Sequence, residues 1–158
     1  MIRPAADAAD FARAGELIRE YIEWLSFDLD FQDFESELAE LSAHYAAPAG
    51  TLLLAYVPGR TEAVGTVGVR RFSSGIAELK RMYVQPVGRG HGLGRQLAEA
   101  AIDFAAAAGY RTIRLDSDEA SMPVANALYE KLGFFDIERY RPNHLPCARF
   151  MEKLLDTQ

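Results

Sequence analysis

Three apolar runs joined by short turns constrain the fold of this chain more than any other feature. The runs occupy 51–57, 63–72 and 76–84, and the turns between them contain Pro58-Gly59 and Ser73-Ser74-Gly75. Strands joined by connections this short pair in antiparallel order, because parallel neighbours need a crossover of about a dozen residues or more. The pattern therefore predicts an antiparallel meander at the centre of the molecule.

The order of elements changes after the meander. Apolar residues recur at helical spacing over 92–108, Gly109 can end that helix, and a strand is predicted over 112–116. A strand, a helix and a further strand in this order form a crossover between parallel neighbours. Two last strands are predicted over 134–138 and 148–153. The fold class is therefore α/β with a mixed sheet.

Further elements complete this picture. A short edge strand is predicted over 1–5, and a helix that Asp7 or Asp10 can cap follows it. Two more helices are predicted over 31–45 and 124–132. Altogether we expect a mixed, mostly antiparallel central sheet of about seven strands with four helices.

The composition excludes several classes of protein. With 158 residues, 49% hydrophobic and 25% charged, the chain is expected to form one soluble domain over 1–158. It has neither an apolar run of about 18 residues nor the order of a signal peptide, so we expect a cytoplasmic protein without membrane association. A net charge of −6 argues against binding to nucleic acid. Cys147, the single cysteine, offers neither a disulfide nor a metal cluster, and no metal is expected. A monomer and a homodimer both stay open.

A glycine-rich segment over 89–94, called the glycine loop below, separates the strand that ends at 84 from the helix over 92–108. Its glycines leave backbone N–H groups uncovered where a helix exposes its first unpaired donors. The helix dipole favours negative charge at the same place. The glycine loop therefore predicts a binding site for the phosphates of a ligand.

Two common phosphate-binding loops do not fit this segment. A Walker loop ends in Gly-Lys-Ser/Thr, whereas Gly94 is followed by Arg95-Gln96. A dinucleotide fingerprint has the spacing G-x-G-x-x-G near the start of a βαβ unit, whereas the spacing here is G-x-G-x-G after a meander. Neither a P-loop nor a Rossmann site is therefore predicted.

Two motifs together resemble a known family. Arg89, Gly92 and Gly94 fill the pattern Q/R-x-x-G-x-G/A, and 126–134 is similar to A-x-x-L-Y-x-K-x-G-F. These patterns are typical of the GNAT superfamily of acyl-CoA-dependent N-acetyltransferases, and the resemblance covers 78–134. It implies a GNAT-like fold and the transfer of an acetyl group from acetyl-CoA to a primary amine, expected on a small molecule, by direct attack in a ternary complex. Two other functions stay open: a non-catalytic acyl-CoA-binding regulatory module, and an acetyltransferase of protein lysines or N-termini.

The resemblance also assigns residues to acetyl-CoA. Backbone N–H groups of the glycine loop would hold the pyrophosphate, and Arg89 and Arg95 would add charge-assisted contacts. The backbone of the preceding strand, at Met82 and Val84, would pair with the pantetheine arm. In full, the implied CoA-binding residues are Met82, Tyr83, Val84, Arg89, Gly90, His91, Gly92, Leu93, Gly94, Arg95, Asn126 and Tyr129.

Three residues are implied in the chemistry. The Val84 N–H would donate to the oxyanion that forms from the thioester carbonyl. Tyr129 matches a tyrosine near the CoA sulfur, where its phenol would stabilise the leaving thiolate; the alternative is a tyrosine packed in the core. Glu78 matches a strand glutamate that deprotonates the incoming ammonium in some members, because an amine of pKa ~10.4 is mostly protonated at neutral pH. The alternative for Glu78 is an exposed carboxylate paired with Lys80 or Arg81.

One position departs from the family pattern. Many members carry an asparagine seven residues before the tyrosine, where this chain has Met122. Asn126 is the asparagine nearby, and it is the candidate for contact with the pantetheine arm.

Two segments point to different acceptors. The carboxylates and aromatic rings of 27–40 suit a cationic amine with an apolar body, unless the acids form a solvated helix face. The polar segment 139–144, called the late segment below, would suit a substrate carboxylate instead. The residues concerned are Phe27, Asp28, Asp30, Phe31, Asp33, Phe34, Glu35, Glu37 and Glu40 in the first segment, and Arg139, Tyr140, Arg141, Asn143 and His144 in the second.

Overall fold

The computed structural model describes 1–25, 31–143, 145 and 147–156, apart from the side chains of 31–33. Its strands are β1 (Ile2–Pro4), β2 (Thr51–Ala55), β3 (Gly65–Ser73), β4 (Ile76–Val84), β5 (Thr112–Asp118), β6 (Phe135–Asp136) and β7 (Ala148–Leu154). Its helices are α1 (Ala8–Leu25), α2 (Phe31–Ala39), α3 (Leu41–His44), α4 (Leu93–Ala107) and α5 (Pro123–Lys131), with a 3-10 turn at Pro86–Gly88.

The strands form one seven-stranded sheet in the order β1-β2-β3-β4-β5-β7-β6. Its pairs are antiparallel except for β4 and β5, which α4 joins as a crossover. The predicted mixed, mostly antiparallel sheet is confirmed. The helix expected over 31–45 is divided into α2 and α3, so the described residues hold five α-helices instead of four. Glu40 separates the two, because its φ of −131° and ψ of 38° lie outside the helical region.

Helices cover both faces of the sheet, and each face has its own apolar core. On one face, called the α4 face, Leu97 of α4 and Tyr129 of α5 pack against strand residues. On the opposite face, called the α1 face, Leu17 of α1, Phe34 of α2 and Leu41 of α3 do the same. Each of these helices therefore buries the apolar stripe that its sequence periodicity predicts.

The first half of β4 alternates regularly between the two faces. Ala77 and Leu79 belong to the core on the α4 face. Since successive side chains of a strand point to opposite faces, Glu78 and Lys80 lie on the α1 face. The meander thus carries two charged residues onto one face of the sheet.

An extra residue in β4 then shifts this alternation. Thr66 pairs with Tyr83 and Gly68 pairs with Lys80, so β4 contains one residue more than β3 between these pairs. Arg81 takes a φ of 58°, in the left-handed region that non-glycine residues rarely adopt. Beyond this bulge, Met82 packs against the core on the α4 face and Tyr83 against the core on the α1 face.

The two parallel strands separate just before the bulge. Their ladder runs from Ile76 paired with Thr112 to Glu78 paired with Arg114, and both strands are fully described beyond it. β4 continues to Val84 beside β3, and β5 continues beside β7. The sheet therefore has a gap between the second halves of β4 and β5.

A buried ion pair holds the bulge in place. Arg81 donates from Nε and Nη2 to the Glu37 carboxylate at 3.0 and 3.1 Å, and its guanidinium lies 6.0 Å from the centroid of the Phe34 ring. The Tyr45 hydroxyl donates to the same carboxylate at 3.3 Å. The Tyr45 ring packs directly on Gly68. Charge-assisted hydrogen bonds therefore tie α2 to the strained residue of β4.

Replacing Glu37 by Gln removes the anionic partner of Arg81. Burial raises the pKa of the Glu37 carboxyl, but the hydrogen bond and charge of Arg81 outweigh burial and the pKa in the folded protein is lowered. Such a carboxyl stabilises the fold above its unfolded-state pKa, and this stability is lost as the pH falls through the folded-state pKa. We expect Glu37→Gln to lower the free energy of unfolding by about 3 kcal/mol at neutral pH. It should also flatten the loss of stability below about pH 4 in urea unfolding curves, and an unchanged acid slope would contradict this.

Gly68→Ala should destabilise the protein through Tyr45. A Cβ at this position would lie 2.5 Å from Cε1 of the Tyr45 ring, which is 2% exposed. Overpacking of this kind costs about 1–3 kcal/mol. Gly15→Ala in α1 is the matched control, because its Cβ would meet Leu41 Cδ1 at 3.5 Å and alanine favours a helix. Thermal unfolding should show a lower Tm for Gly68→Ala alone; equal Tm values for the two variants would show that the Tyr45 contact is not limiting.

Candidate active site

Ionisable side chains face one another across the gap on the α1 face. Glu78 is the last residue of β4 in the ladder, and Lys80 is the next residue of β4 on that face. On β5, Arg114 ends the ladder and Asp116 follows on the same face. Lys80 Nζ lies 3.9 Å from Asp116 Oδ1. The separation of the strands thus begins between charged groups.

Glu78 lies at the centre of this group, with 0% exposure. Its Oε2 accepts hydrogen bonds from the Tyr140 hydroxyl at 2.8 Å and from Arg141 Nη1 at 3.1 Å. Its Oε1 accepts from Arg141 Nη1 at 3.2 Å and from Arg70 Nε at 3.4 Å, and Lys80 Nζ is 3.9 Å away. Burial raises the pKa of Glu78, but these cations and the Tyr140 hydroxyl outweigh it, so the pKa is lowered.

These surroundings bear on both hypotheses for Glu78. As a strand carboxylate it is buried instead of exposed; Lys80 is its neighbour, while Arg81 pairs with Glu37 on α2. As a base it already accepts hydrogen bonds on both oxygens. The catalytic role of Glu78 stays a prediction.

Lys80 is held between two carboxylates. Its side chain is 9% exposed, and Nζ lies 3.9 Å from an oxygen of Glu78 and from an oxygen of Asp116. Burial lowers the pKa of Lys80 to about 8, although both carboxylates raise it. Asp116 has a second partner in Asn143, whose Nδ2 donates to Oδ2 at 2.9 Å.

The late segment covers this charged group. Tyr140 and Arg141 contact Glu78 on β4, and Asn143 contacts Asp116 on β5. The segment is therefore fixed to both sides of the gap. Arg139 lies over the ring of Phe150 at 5.0 Å from its centroid, and His144 lies outside the described residues. Recognition of a substrate carboxylate by this segment stays a prediction.

Two of the three acids of the segment 27–40 whose side chains are described pair with arginines. Glu35 binds Arg19 of α1 at 3.0 Å and Glu37 binds Arg81, while Glu40 is exposed. Outside the described residues lie Phe27, Asp28 and Asp30, and the side chains of Phe31 and Asp33. Glu35 and Glu37 are thus neutralised within the protein.

Tyr129 approaches the gap from the α4 face. Its side chain is 5% exposed, and its hydroxyl donates to Met82 Sδ at 3.9 Å, its one hydrogen bond within the described part of the chain. Burial, with the nearby Tyr21 and Asp116, raises the pKa of the phenol, which is therefore protonated at neutral pH. Because a thioether is a weak acceptor, the hydroxyl can still bind a stronger one.

The peptide groups of Val84 point into the gap. The Gln85 N–H donates to the Val64 carbonyl at 2.8 Å, which makes Gly65 and Val84 a non-hydrogen-bonded pair of the β3–β4 ladder. The N–H and C=O of Val84 therefore point away from β3, toward the side that β5 has left. The Arg89 side chain lies on this side, since its Nε donates to the Val84 carbonyl at 3.3 Å.

The glycine loop presents a row of unpaired donors at the start of α4. Gly90 and Gly92 take φ values of 83° and 71°, which favour glycine. The Gln96 N–H makes the first bond of the helix, to the Gly92 carbonyl at 3.1 Å. Among the described residues, none accepts a hydrogen bond from the backbone N–H groups of 90–95. This arrangement is typical of an anion-binding site.

The polar side chains around the glycine loop differ in exposure and in whether they already pair with an acid. Arg95 Nε donates to Glu99 Oε1 at 2.6 Å, one helical turn further along α4. His91 is exposed. Arg89 is exposed as well, and its side chain donates a hydrogen bond to the Val84 carbonyl and not to an acid.

Asn126 fastens α5 to the end of β5. Its side chain is 4% exposed; Oδ1 accepts from Ser117 Oγ at 2.6 Å and Nδ2 donates to the Asp118 carbonyl at 3.1 Å. Met122 precedes α5, and its Sδ accepts from Ser117 Oγ at 3.4 Å and from the Tyr21 hydroxyl at 3.8 Å. The contact of Asn126 with the pantetheine arm stays a prediction.

Asp116 and Gly88 have no part in the sequence hypotheses for the site, and Lys80 enters them only as a possible partner of Glu78. Asp116 could have been found, because alternation places it on the face of Arg114 at the end of a predicted strand. Gly88 carries no such signal. A Cβ there would lie 2.8 Å from Val64 Cγ2 and 3.0 Å from Val84 Cγ1, so the turn into the glycine loop needs this glycine.

Neither a metal-binding group nor a membrane-spanning helix is found among the described residues. No group of three or more His, Cys, Asp or Glu side chains in that part of the chain is placed to hold a metal ion. No helix there combines the length and the apolar character needed to cross a membrane. Cys147 is exposed.

Known proteins are similar to this chain in sequence and in fold. The family model described as Acetyltransferase (GNAT) family matches residues 17–134. An uncharacterised N-acetyltransferase of Schizosaccharomyces pombe is 35% identical over 136 residues, covering 85% of this chain and 82% of that protein. The IAA acetyltransferase of Azospirillum brasilense is 36% identical over 111 residues, covering 70% and 71%. A GNAT-family acetyltransferase from Staphylococcus aureus shares the fold, with a TM-score of 0.82, 22% identity and 99% of each chain covered. The chain belongs to the GNAT family and is an acyl-CoA-dependent N-acetyltransferase.

Proposed function

We propose that the protein transfers the acetyl group of acetyl-CoA to a primary amine of a small molecule, by direct attack in a ternary complex. The observation that carries this proposal is the separation of β4 from β5 after Glu78 and Arg114. It leaves one side of the β4 backbone free to pair with an extended ligand. It also connects the α4 face, with Tyr129, to the α1 face, with the charged group.

Acetyl-CoA lies along the glycine loop and β4 in this proposal. The unpaired N–H groups of 90–95 bind the pyrophosphate, with Arg89 as the nearest uncommitted cation. The pantetheine arm follows the backbone of 82–84 into the gap. Asn126 supports this path by holding α5 against β5.

Attack of the neutral amine on the thioester carbon forms the new C–N bond and moves the carbonyl π electrons onto oxygen. The Val84 N–H, which points into the gap, stabilises this oxyanion. The intermediate collapses as the C–S bond breaks and its electron pair goes to sulfur. Tyr129, whose hydroxyl has only a thioether partner among the described residues, donates a hydrogen bond to the thiolate. The second proton of the amine nitrogen leaves as the amide forms, and the thiolate takes up one proton.

Two observations support a small acceptor over a protein. The late segment is tied to Glu78 on β4 and to Asp116 on β5, so it lies across the gap where a broad peptide-binding groove would need open space. The Azospirillum brasilense relative is an IAA acetyltransferase. The direct test is CoA release from acetyl-CoA with a panel of small primary amines, lysine peptides and peptides with free N-termini. Turnover of peptides alone would overturn the small-molecule acceptor, and CoA binding without any turnover would favour a regulatory module.

Tyr129→Phe should lower kcat by about 100-fold, because the thiolate loses a hydrogen-bond donor. The affinity for CoA should stay nearly unchanged, since the ring still fills the same space. Tyr110→Phe is the matched control, as its hydroxyl donates to the Ala49 carbonyl at 2.6 Å, away from the gap. Steady-state kinetics and calorimetry with CoA measure the two effects. A kcat equal to that of the control would remove Tyr129 from the mechanism.

Arg89→Gln should weaken CoA binding about tenfold, because a charge-assisted contact to phosphate is lost. Arg95→Gln is the comparison, since Arg95 is already paired with Glu99 and should matter less. Calorimetry at low and high salt measures both, and the difference between the variants should shrink as salt screens the charge. Equal losses in the two variants would contradict the assignment of Arg89.

A further inference from the structure

The two carboxylates beside the gap differ in how many donors they already bind. Both oxygens of Glu78 accept hydrogen bonds from Tyr140, Arg141 and Arg70. Asp116 accepts one, on Oδ2 from Asn143. Its Oδ1 receives no hydrogen bond from the described residues. Asp116 therefore keeps an acceptor site that Glu78 lacks.

Asp116 is also the more accessible of the two carboxylates. The side chain of Glu78 is 0% exposed, whereas that of Asp116 is 16% exposed. Glu78 lies within the last pair of the ladder, and Asp116 lies beyond it where the strands have separated. A ligand in the gap reaches Asp116 without displacing the buried cluster around Glu78.

Asp116 also lies close to the residues that border the gap from both faces. After burial, its charge is among the causes that raise the pKa of Tyr129, and it helps to raise that of Tyr21 to about 12. Glu78 is a cause of neither shift. The charge of Asp116 therefore acts on a tyrosine of α5 and on a tyrosine of α1.

We propose that Asp116 accepts the proton from the ammonium of the acceptor, and that Asn143 is a positioning residue. Asn143 binds Oδ2 and leaves Oδ1, which lies 3.9 Å from Lys80 Nζ, without a hydrogen bond from the described residues. The proposal rests on the proposed function. One N–H bond of the ammonium breaks, its electron pair stays on nitrogen, and an O–H bond forms on Asp116. The neutral amine then attacks the thioester, and Asp116 releases its proton to solvent after the amide has formed.

Several charged or titratable groups face Asp116, and their titration enters any pH profile. They come from β4, the late segment, α1 and α5. The groups are Lys80, Tyr140, Arg141, Tyr21 and Tyr129. All five side chains remain in both carboxylate variants, and Glu78→Gln also removes a charge that raises the pKa values of Lys80, Tyr140 and Arg141.

The experiment compares Asp116→Asn with Glu78→Gln, using the small amine that gives the fastest CoA release with the wild-type protein. Asp103→Asn, on the exposed side of α4, is the charge-matched control. Without its base the protein must bind the scarce neutral amine, so Asp116→Asn should lose about 100-fold or more in kcat/KM at about pH 7. Most of this loss should disappear toward about pH 9.5, where the amine gives up its own proton. The loss in Glu78→Gln should be the same at both pH values, because it breaks a structural cluster.

A second amine separates proton removal from binding. A fluorinated analogue of the same acceptor, already neutral at about pH 7, should be acetylated nearly as well by Asp116→Asn as by the wild type. Asn143→Ala keeps the carboxylate and removes the bond that positions it, together with the bond that Asn143 Oδ1 accepts from the Leu145 N–H at 2.8 Å. This variant should have a lower kcat although both carboxylates are present, and its KM for acetyl-CoA should be unchanged. It also tests the assignment if Asp116→Asn does not fold.

The outcomes are distinguishable. A pH-independent loss in Asp116→Asn, or an equal loss with the fluorinated amine, would overturn the assignment of Asp116 alone. A loss in Glu78→Gln that recovers at high pH would assign the proton to Glu78 instead. If the wild-type protein releases no CoA with any of the amines, the proposed function and this assignment are both overturned.

Discussion

The extra residue of β4 at Arg81 is the constraint on which the rest of the site depends. It gives β4 a local bend, and the parallel neighbour β5 leaves the ladder three residues earlier, at the pair of Glu78 and Arg114. A non-glycine residue with a φ of 58° is unfavourable by itself, so the conformation needs support from elsewhere. Glu37 supplies this support from α2, through two hydrogen bonds to the guanidinium. The gap is thus maintained from the α1 face of the sheet.

The extra residue also explains why the sequence alone misplaces some side chains. Uninterrupted alternation over 76–84 would put Glu78, Lys80, Met82 and Val84 on a single face. In the structure the first two lie on the α1 face and the last two on the α4 face. A bulge has no reliable signature when it contains an arginine instead of a glycine. Because the bulge cannot be located from the sequence, the contact between Met82 and Tyr129 cannot be predicted either.

Other parts of the fold could be predicted because their signals are local. The order of strands and helices follows from apolar periodicity and from turns rich in glycine and proline, and the glycine loop follows from its position between a strand and a helix. The charged group around Glu78 could not, since Arg70, Tyr140 and Arg141 come from distant parts of the chain. Such contacts depend on the order of the strands in the sheet, and the crossover through α4 is what places β5 beside β4. Alternation places Asp116 on the face of Arg114, but its contacts with Lys80 and Asn143 could not be predicted, for the same reason.

The division of β4 between two faces has a consequence for how proteins of this architecture diverge. A substitution at Lys80 changes the charged group on the α1 face, whereas the glycine loop and Tyr129 belong to the opposite side of the sheet. Under the proposed function, a lineage can therefore exchange one acceptor for another while its binding of the donor is inherited intact. Glu37 cannot be substituted as easily, because it binds Arg81, the residue at which the alternation of β4 between the two faces is shifted. Evolutionary drift should accordingly be fast around the acceptor and slow at this one ion pair.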